Sequence, residues 1–383
     1  MMEEKRKNVV ILGASGSVGS SGINVIREAP EKFRITAMSG YSRMPELAAL
    51  CREFDCPCAV AADPAHYGEL KELLPRCRCL AGIEGMAEAA CAPETDIVLC
   101  AVAGADGLLP VIAALKAGKQ VAIASKEVLV LAGELVMELA RPGQLLPVDS
   151  EHAGVWQCLE GRRPDEVRKI ILTASGGPFR LWEKEKILNA TVEQALRHPT
   201  WNMGRKITVD SASMMNKALE LVEASRLYKA GSEKLGVIIH PQSKIHAMVE
   251  LTDGSLIAQV AVPDMRLPTA WALTWPERGS FNFPAYDWRT GGVMEFFEPD
   301  REKFPSFDFA ETALRAGGTL PGVMSAANDV AVERFLNRQI PFGGIWRIIE
   351  KVMEQHNCLH DLSLEEILAV DRETRIRARE VKL

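Results

Sequence analysis

The sequence lacks a long apolar run, an excess of positive charge and an internal repeat. Residues 1–7 are mostly charged, and the apolar stretch that follows covers only residues 9–12. That stretch is too short for a signal peptide or a membrane span. The net charge of -6 disfavours nucleic acid and anionic membranes as main partners, whereas a local basic pocket for a small anion stays compatible with it. We expect a cytoplasmic protein without nucleic-acid or membrane partners.

The nine cysteines also lack the spacing of a metal site or a disulfide framework. Seven lie between positions 51 and 100, and their close pairs are C-x-C, at Cys56/Cys58 and Cys77/Cys79. Structural zinc sites usually carry C-x-x-C pairs, and disulfide frameworks accompany secretion. We therefore predict reduced, partly buried thiols.

The first 150 residues alternate between short apolar runs and helical patterns. A chain of 383 residues with 47% hydrophobic and 25% charged residues is an ordinary globular mixture that fills two or three domains. Repeated βαβ units predict a doubly wound parallel sheet with its ligand at the carboxyl ends of the strands. The predicted strands cover 9–12, 34–38, 59–62, 96–102, 121–124 and 145–148; helices end near 28 and cover 45–54, 65–74, 109–117 and 126–139.

A glycine loop joins the first strand to the first helix. Gly13, Gly16 and Gly19 form a G-x-x-G-x-x-G variant, which lets a pyrophosphate approach the backbone and the helix N-terminus. A tight turn without a ligand is the alternative. At the end of the second strand, residues 39–43 (SGYSR) contain no acid and one cation, Arg43. This favours NADP over NAD, unless Arg43 is only a solvated residue before a helix.

Two carboxylates follow the strand at 145–148. If the chain stays extended through PVDSEH (147–152), Asp149 and Glu151 share one face. Their mutual repulsion would be relieved by a hard divalent cation between them. The alternative is a solvated pair of acids at a strand end.

The second half of the chain has a mixed pattern. We predict a helix of about ten residues from His152, strands at 167–174, 237–239, 247–251 and 256–262, and a hairpin turn at 252–255. The loop 198–204 carries Trp201 and Met203, which either anchor it in the core or belong to a lid that closes on a ligand.

A polar helix follows that loop. Residues 210–213 (DSAS) are expected to cap a helix over 214–228, on which Asn216, Lys217 and Glu220 occupy one side. Such a cap with an amide and an ammonium suits a phosphate monoester. The alternative for Lys217 and Glu220 is a surface ion pair of little worth.

The end of the chain is predicted to be helical. Residues 277–305 are rich in Gly, Pro and aromatic residues, and helical periodicity covers 309–316, 324–337, 345–356 and 364–379. We therefore predict an N-terminal Rossmann-like domain, a central α/β catalytic domain, a linker and a C-terminal helical bundle, over 1–149, 150–276, 277–305 and 306–383.

Several motifs in one order resemble the 1-deoxy-D-xylulose 5-phosphate reductoisomerase family. They are SKE (125–127), PVDSEH (147–152), SGGPF (175–179), HPTWNMG (198–204), VDSASMMNKALE (209–220), HPQSKIHAMVE (240–250) and PDMRLP (263–268). The resemblance implies a homodimeric NADPH enzyme of non-mevalonate isoprenoid synthesis. Members of the family rearrange deoxyxylulose phosphate to an aldehyde and reduce it to 2-C-methyl-D-erythritol 4-phosphate.

The resemblance also implies site residues. The ligands of Mg²⁺ or Mn²⁺ would be Asp149, Glu151 and Glu220, which with Lys126 and His198 form the catalytic set. The substrate phosphate would contact Ser175, Ser211, Asn216 and Lys217, and the reacting end Lys126, Ser150 and His198, with Trp201 and Met203 on the closing loop. Cofactor positions would be Gly13, Ser15, Gly16, Ser17, Val18, Gly40, Tyr41, Ser42, Ser125, Glu127 and Gly204.

Two positions depart from the family pattern. The family usually has Asn where this chain has Ser125, and a basic residue where it has Tyr41. Arg43 is then the nearest cation for a 2′-phosphate.

Two other functions fit parts of the sequence. A semialdehyde dehydrogenase shares the glycine loop but needs a cysteine nucleophile, for which Cys158 on an expected helix is a poor candidate. An NADP-binding sensor would share the first domain without needing the carboxylates.

Overall fold

The computed structural model describes residues 6–198, 200–201 and 203–383. Its first sheet has seven strands in the order β4-β3-β2-β1-β5-β6-β7. They are β1 (Lys7–Leu12), β2 (Phe33–Gly40), β3 (Cys58–Ala61), β4 (Arg78–Ala81), β5 (Ile97–Cys100), β6 (Gln120–Ile123) and β7 (Leu145–Pro147). The helices between and after them are α1 (Ser17–Glu28), α2 (Met44–Glu53), α3 (Tyr67–Leu73), α4 (Gly82–Ala90), α5 (Leu108–Lys116), α6 (Lys126–Leu139) and α7 (Ser150–Leu159).

This sheet confirms the predicted doubly wound α/β fold. Every strand pair in it is parallel, and β1 lies between β2 and β5. The order of strands therefore reverses at β1, where ligands bind in such sheets. Residues 9–12 of β1 are wholly buried, because helices cover both faces of a parallel sheet.

One strand and one helix of this sheet escaped the sequence analysis. Strand β4 lies at the sheet edge, and none of its four residues is fully buried. It therefore carries no continuous apolar run, and the following α4 contains two glycines in nine residues, which lower its helix propensity.

The second sheet has four strands in the order β11-β10-β8-β9. They are β8 (Val167–Ala174), β9 (Leu235–Ile239), β10 (Ile245–Leu251) and β11 (Leu256–Val260). Strands β8 and β9 are parallel, while β10 runs antiparallel to β8 and β11. The predicted hairpin at 252–255 is thus confirmed. The helices of this region are α8 (Lys184–Leu188), α9 (Val192–Ala195), α10 (Arg205–Ala212) and α11 (Met215–Tyr228). Helix α12 (Arg266–Thr274) follows β11 in the chain but packs with the first sheet.

The helical C-terminal region is confirmed. It contains α13 (Ser306–Ala316), α14 (Leu320–Leu336), α15 (Gly344–Glu354) and α16 (Leu364–Glu380). Phe307, Val323 and Ile348 from three of these helices belong to the same buried core as Met215 and Val222 of α11. Helix α11 therefore rests on the C-terminal helices.

The chain divides into two compact units. One contains β1–β7 together with α12, and the other contains the second sheet and α13–α16. The four-part division at 149, 276 and 305 stays a prediction. Among the described residues, no helix is both long and apolar enough to cross a membrane.

Candidate active site

The glycine loop has the geometry that a close backbone approach requires. Gly13 has a φ of +85°, and a Cβ built on it would lie 2.4 Å from the carbonyl oxygen of Ala101. A Cβ on Gly19 would lie 2.1 Å from the carbonyl oxygen of Gly13. Both positions thus require glycine. The loop leads directly into α1, so Ser15, Gly16, Ser17 and Val18 lie at the start of that helix.

The end of β2 adjoins this loop. The hydroxyl of Ser39 accepts a 2.9 Å hydrogen bond from the backbone N–H of Gly13. The guanidinium of Arg43 donates to the carbonyl of Ser15 and pairs at 2.9 Å with Glu46. Tyr41 is 62% exposed. Arg43 is therefore held beside the glycine loop and is not only solvated.

Helix α6 begins with the SKE motif. The buried hydroxyl of Ser125 donates a 2.5 Å hydrogen bond to the carbonyl of Val102, so its proton is committed to the backbone. The ammonium of Lys126 forms an ion pair with Asp149, and both side chains are largely buried. Glu127 lies in the first turn of α6.

The extended conformation predicted for PVDSEH is wrong. Strand β7 ends at Pro147, and α7 begins at Ser150, two residues before the predicted start at His152. The carbonyl of Asp149 accepts a 2.8 Å hydrogen bond from the N–H of Ala153, since Asp is a favoured residue at a helix N-terminus. Glu151 therefore occupies a first helical turn, where its carboxylate accepts a 2.6 Å hydrogen bond from the Ser150 hydroxyl.

The structure places each predicted metal ligand at or near a helix. Asp149 directly precedes α7, Glu151 lies in its first turn, and Glu220 is wholly buried on α11. Three carboxylates offer the hard oxygen donors that Mg²⁺ prefers. Lys126 and Lys217, which pair with Asp149 and Glu220, offset only part of this negative charge. The donor set therefore fits a divalent cation.

Sequence reasoning missed two residues of this kind. His152 and Glu223 also carry groups that can bind a metal, and both side chains are buried. Each follows a predicted ligand by three positions, His152 after Asp149 and Glu223 after Glu220. One helical turn of spacing was the signal that would have found them.

The predicted cap at residues 210–213 is also wrong. Residues Arg205–Ala212 form α10, and Met214 takes a left-handed conformation with a φ of +61° before α11 starts. Few residues of α10 are apolar, so its periodicity is weak. Ser211 consequently lies in the last turn of a helix and does not cap the next one.

On α11 the polar side chains are buried. Lys217 and Glu220 are 3% and 0% exposed and form an ion pair, so the surface interpretation of this pair is wrong. The amide nitrogen of Asn216 donates a 2.5 Å hydrogen bond to Glu220. The amide oxygen of Asn216 is buried with no partner among the described residues, which leaves an acceptor for a ligand.

The SGG turn after β8 adjoins α10. A Cβ on Gly177 would lie 2.7 Å from the carbonyl oxygen of Ser211, and Gly177 has a φ of +63°. The turn thus brings Ser175 to the end of α10. The hydroxyl of Ser175 accepts a 3.2 Å hydrogen bond from the N–H of Gly177 and lies 3.1 Å from Nε2 of His198.

The hydrogen bonds of His198 define its tautomer. Nδ1 accepts hydrogen bonds from the N–H groups of Thr200 and Trp201, at 3.1 and 2.8 Å. The ring proton of the neutral form is therefore on Nε2, which donates to Ser175. Burial lowers the pKa of the His198 imidazole, because desolvation penalises the charged ring.

We expect an NMR titration to place the pKa of His198 below its ordinary value of 6.5. The unfolded chain then binds this proton more readily than the folded chain. The contribution of neutral His198 to the free energy of unfolding is fully present above pH 6.5. It is lost as the pH falls through the folded pKa. A His198→Gln sample assigns the ring resonances, and a pKa at or above the ordinary value would contradict the desolvation of this ring.

The predicted loop places its two apolar side chains outside the fully buried core. Trp201 and Met203 are both half-buried, and the Trp201 ring packs edge-on against His246 with centroids 6.4 Å apart. Partial burial is compatible with both interpretations, the core anchor and the lid, so the two stay alternatives. Pro199 and Asn202 lie outside the described residues. Gly204 precedes α10, and a Cβ there would contact nothing.

Cys158 is unsuitable as the nucleophile that a semialdehyde dehydrogenase needs. Cys158 lies buried on α7, and burial raises the pKa of its thiol to about 11. A thiol in this state is a poor nucleophile, since the thiolate is the reactive form.

The fold and the site define an α/β oxidoreductase of the dinucleotide-binding class. Family models described as 1-deoxy-D-xylulose 5-phosphate reductoisomerase, its C-terminal domain and the DXP reductoisomerase C-terminal domain match residues 9–133, 145–228 and 260–377. The chain belongs to the 1-deoxy-D-xylulose 5-phosphate reductoisomerase family.

Curated relatives and solved structures agree with this assignment. The reductoisomerase of Prosthecochloris aestuarii is 47% identical over 372 residues, with 96% of this chain and 97% of the relative covered. That of Trichlorobacter lovleyi is 47% identical over 379 residues, with coverages of 98% and 97%. The Zymomonas mobilis enzyme in complex with NADPH has a TM-score of 0.91 at 40% identity, covering 98% of each chain. A DOX-P reductoisomerase in complex with NADPH, fosmidomycin and magnesium has a TM-score of 0.91 at 37% identity, covering 97% of each chain.

Proposed function

We propose that the chain converts 1-deoxy-D-xylulose 5-phosphate to 2-C-methyl-D-erythritol 4-phosphate, using NADPH and a divalent cation, in isoprenoid precursor synthesis. The observation that carries this proposal is that a chain of the reductoisomerase family has Asp149 and Glu151 at the start of α7 and a wholly buried Glu220 on α11. Related structures contain NADPH and magnesium. We further propose that Mn²⁺ can replace Mg²⁺, and that the enzyme is a cytoplasmic homodimer, as the resemblance implies.

Asp149, Glu151 and Glu220 would hold the metal. When bound, the ion supplies Lewis acidity that polarises a substrate carbonyl and acidifies a neighbouring hydroxyl. Lys126 orients Asp149 through their ion pair, and Asn216 and Lys217 orient Glu220. These contacts fix the carboxylates before the substrate arrives, which avoids reorganisation during the reaction.

Ser175, Ser211, Asn216 and Lys217 would bind the substrate phosphate. The first turn of α11 carries Asn216 and Lys217, and helix N-termini favour anions. The ammonium of Lys217 pairs with Glu220, and its positive charge attracts a phosphate. The SGG turn adds Ser175 beside Ser211.

His198, Ser150 and Lys126 would contact the reacting end of the substrate. Neutral His198 presents Nε2–H toward Ser175, so it can donate a hydrogen bond without adding charge. The loop with Trp201 and Met203 would close over the substrate and exclude water from the aldehyde intermediate. Binding energy from the remote phosphate would drive this closure.

The cofactor pyrophosphate would lie on the glycine loop. Gly13, Ser15, Gly16, Ser17 and Val18 would provide its cradle at the start of α1. Gly40, Tyr41, Ser42 and Arg43 would surround the adenosine ribose and its 2′-phosphate. The remaining cofactor contacts would come from Ser125, Glu127 and Gly204.

An Arg43→Ala variant should raise KM for NADPH with little change for NADH. The preference for NADPH should shrink roughly ten- to a hundredfold, because one charge-assisted contact contributes about 1.5–3 kcal/mol. Steady-state kinetics with both cofactors measure this effect.

The matched variant Tyr41→Lys should strengthen NADPH binding by adding a second cation beside the first. An unchanged NADPH-to-NADH ratio in Arg43→Ala would mean that the 2′-phosphate is held elsewhere.

The whole proposal is tested by following NADPH absorbance with deoxyxylulose phosphate as substrate. We expect oxidation that stops when a chelator removes the divalent cation and resumes when Mg²⁺ or Mn²⁺ is added. NADPH binding without metal-dependent turnover would support the NADP-binding sensor instead. Size measurement in solution tests the homodimer.

A further inference from the structure

Two of the residues proposed for the substrate phosphate lie on either side of a short turn. Ser211 is in the last turn of α10, and Lys217 is in the first turn of α11. Met214 joins the two helices in a left-handed conformation with a φ of +61°. A residue with a Cβ persists in this conformation only where the surrounding structure fixes it. The spacing of Ser211 and Lys217 therefore depends on what holds this turn.

The C-terminal helices hold the turn through one carbonyl. The carbonyl oxygen of Ser213 lies at the end of α10, where the helix itself supplies no partner. It accepts a 2.7 Å hydrogen bond from the hydroxyl of Ser306 on α13 and a 3.3 Å hydrogen bond from the indole N–H of Trp346 on α15. The same indole N–H lies 2.9 Å from the hydroxyl oxygen of Ser306. The two donors therefore form one network with the turn.

This network is shielded from water. Ser213 and Ser306 are 0% exposed, and Trp346 is 5% exposed. Water does not readily replace a donor at such a site, so the loss of either side-chain donor leaves the Ser213 carbonyl with fewer partners in the core. The backbone of the turn is thus fixed by contacts with helices that follow it in the chain by about a hundred residues.

Helix α14 holds the segment that leads into the turn. Asp210, which directly precedes Ser211, accepts a 2.8 Å hydrogen bond from the amide of Asn328, and both side chains are buried. The ammonium of Lys206 on α10 lies 3.1 Å from the carboxylate of Asp210 and 2.9 Å from that of Asp329. The C-terminal helices therefore hold the chain on both sides of Ser211.

We propose that Ser306 and Trp346 are positioning residues for the substrate-phosphate site. By holding the carbonyl of Ser213, they set Ser211 and Lys217 at the spacing at which both can donate to one phosphate. The inference rests on the proposed contacts of these two residues with the substrate phosphate. Donors on two helices bind one anion well only when both reach it together, and a displacement of about 1 Å can cost on the order of a hundredfold in rate.

Kinetics and binding of two variants of the full chain test this proposal. Ser306→Ala and Trp346→Phe each remove one donor and keep most of the side-chain volume. We expect KM for deoxyxylulose phosphate to rise roughly tenfold in each, the size expected for one buried hydrogen bond. The loss in kcat should be smaller, and KM for NADPH should stay unchanged. Titration calorimetry with deoxyxylulose phosphate, without NADPH, should show the same roughly tenfold loss of affinity.

Ser325→Ala is the matched control, because Ser325 is a buried serine of α14 that is 4% exposed. This variant removes a buried hydroxyl outside the network and should bind deoxyxylulose phosphate as the wild type does. A merely structural role of Ser306 and Trp346 would lower the melting temperature of their variants without changing the substrate affinity of the folded protein.

The proposal fails if Ser306→Ala and Trp346→Phe bind deoxyxylulose phosphate as tightly as the wild type, whatever their melting temperatures. It also fails if the variants lose as much kcat/KM with unphosphorylated deoxyxylulose as with the phosphorylated substrate. The calorimetric measurement needs no turnover. A wild type that binds deoxyxylulose phosphate without oxidising NADPH would refute the proposed reaction, while weaker binding in the two variants would still support the positioning role.

Discussion

A Glu220→Gln variant should need at least about a hundredfold more Mg²⁺ for half-maximal activity, because changes that only orient metal ligands already cost roughly 10–100-fold. Glu220 is wholly buried, and its amide analogue keeps the volume while removing one of three negative ligands. Initial rates of NADPH oxidation against Mg²⁺ concentration measure the change. Cofactor affinity should be unaltered.

Two further variants test whether the increased Mg²⁺ requirement is specific to the metal ligands. Asp149→Asn should behave in the same way, whereas Glu160→Gln at the exposed end of α7 should match the wild type. Near-wild-type activity of Glu220→Gln at ordinary Mg²⁺ would show that these three carboxylates are not the metal ligands.

A Lys217→Ala variant should lose roughly ten- to a hundredfold in kcat/KM for the phosphorylated substrate, the worth of one charge-assisted contact. The structure adds a second effect, because the alanine leaves Glu220 buried without this cation. Breaking such a pair costs about 3–5 kcal/mol. We therefore expect a lowered melting temperature without metal and a partial recovery with Mg²⁺, which supplies positive charge to the same carboxylate.

The double variant Lys217→Ala/Glu220→Gln separates these effects. It should regain part of the lost stability, since no uncompensated charge remains, and still bind the phosphorylated substrate poorly. Lys229→Ala, at the exposed end of α11, is the control for removing a lysine. Equal kinetic losses with phosphorylated and unphosphorylated analogues in Lys217→Ala would exclude a phosphate contact.

Buried regular elements were predictable from the sequence. Strand β1 and helix α6 follow from apolar runs and helical periodicity, and the glycine loop between β1 and α1 follows from its spacing. Strand β4 lies at a sheet edge, where partial exposure removes the apolar signal. Helix α10 is short and polar, and part of its stability comes from a 2.8 Å hydrogen bond between Asn328 of α14 and Asp210. A contact so distant in sequence leaves no local pattern.

The residue types of the candidate site were predictable from the sequence, but its local backbone conformation was not. The residue types at Asp149 and Glu151 indicated a hard cation, and the resemblance added Glu220, which is wholly buried on α11. Local geometry was predicted incorrectly at Asp149, because a residue type that suits a strand end also suits a helix start. His152 and Glu223 were missed, although each follows a predicted ligand by one helical turn, because their burial depends on contacts outside the local sequence.

The shared core of α11 and the C-terminal helices limits how relatives can exchange segments. Phe307, Val323 and Ile348 pack in one core with Met215 and Val222, so the helix that carries Lys217 and Glu220 is shaped partly by residues about a hundred positions later. A chimera that takes the segment after position 305 from a relative would have to import matching residues on α11. Recombination among homologous genes should therefore preserve α11 and the C-terminal helices as one inherited block.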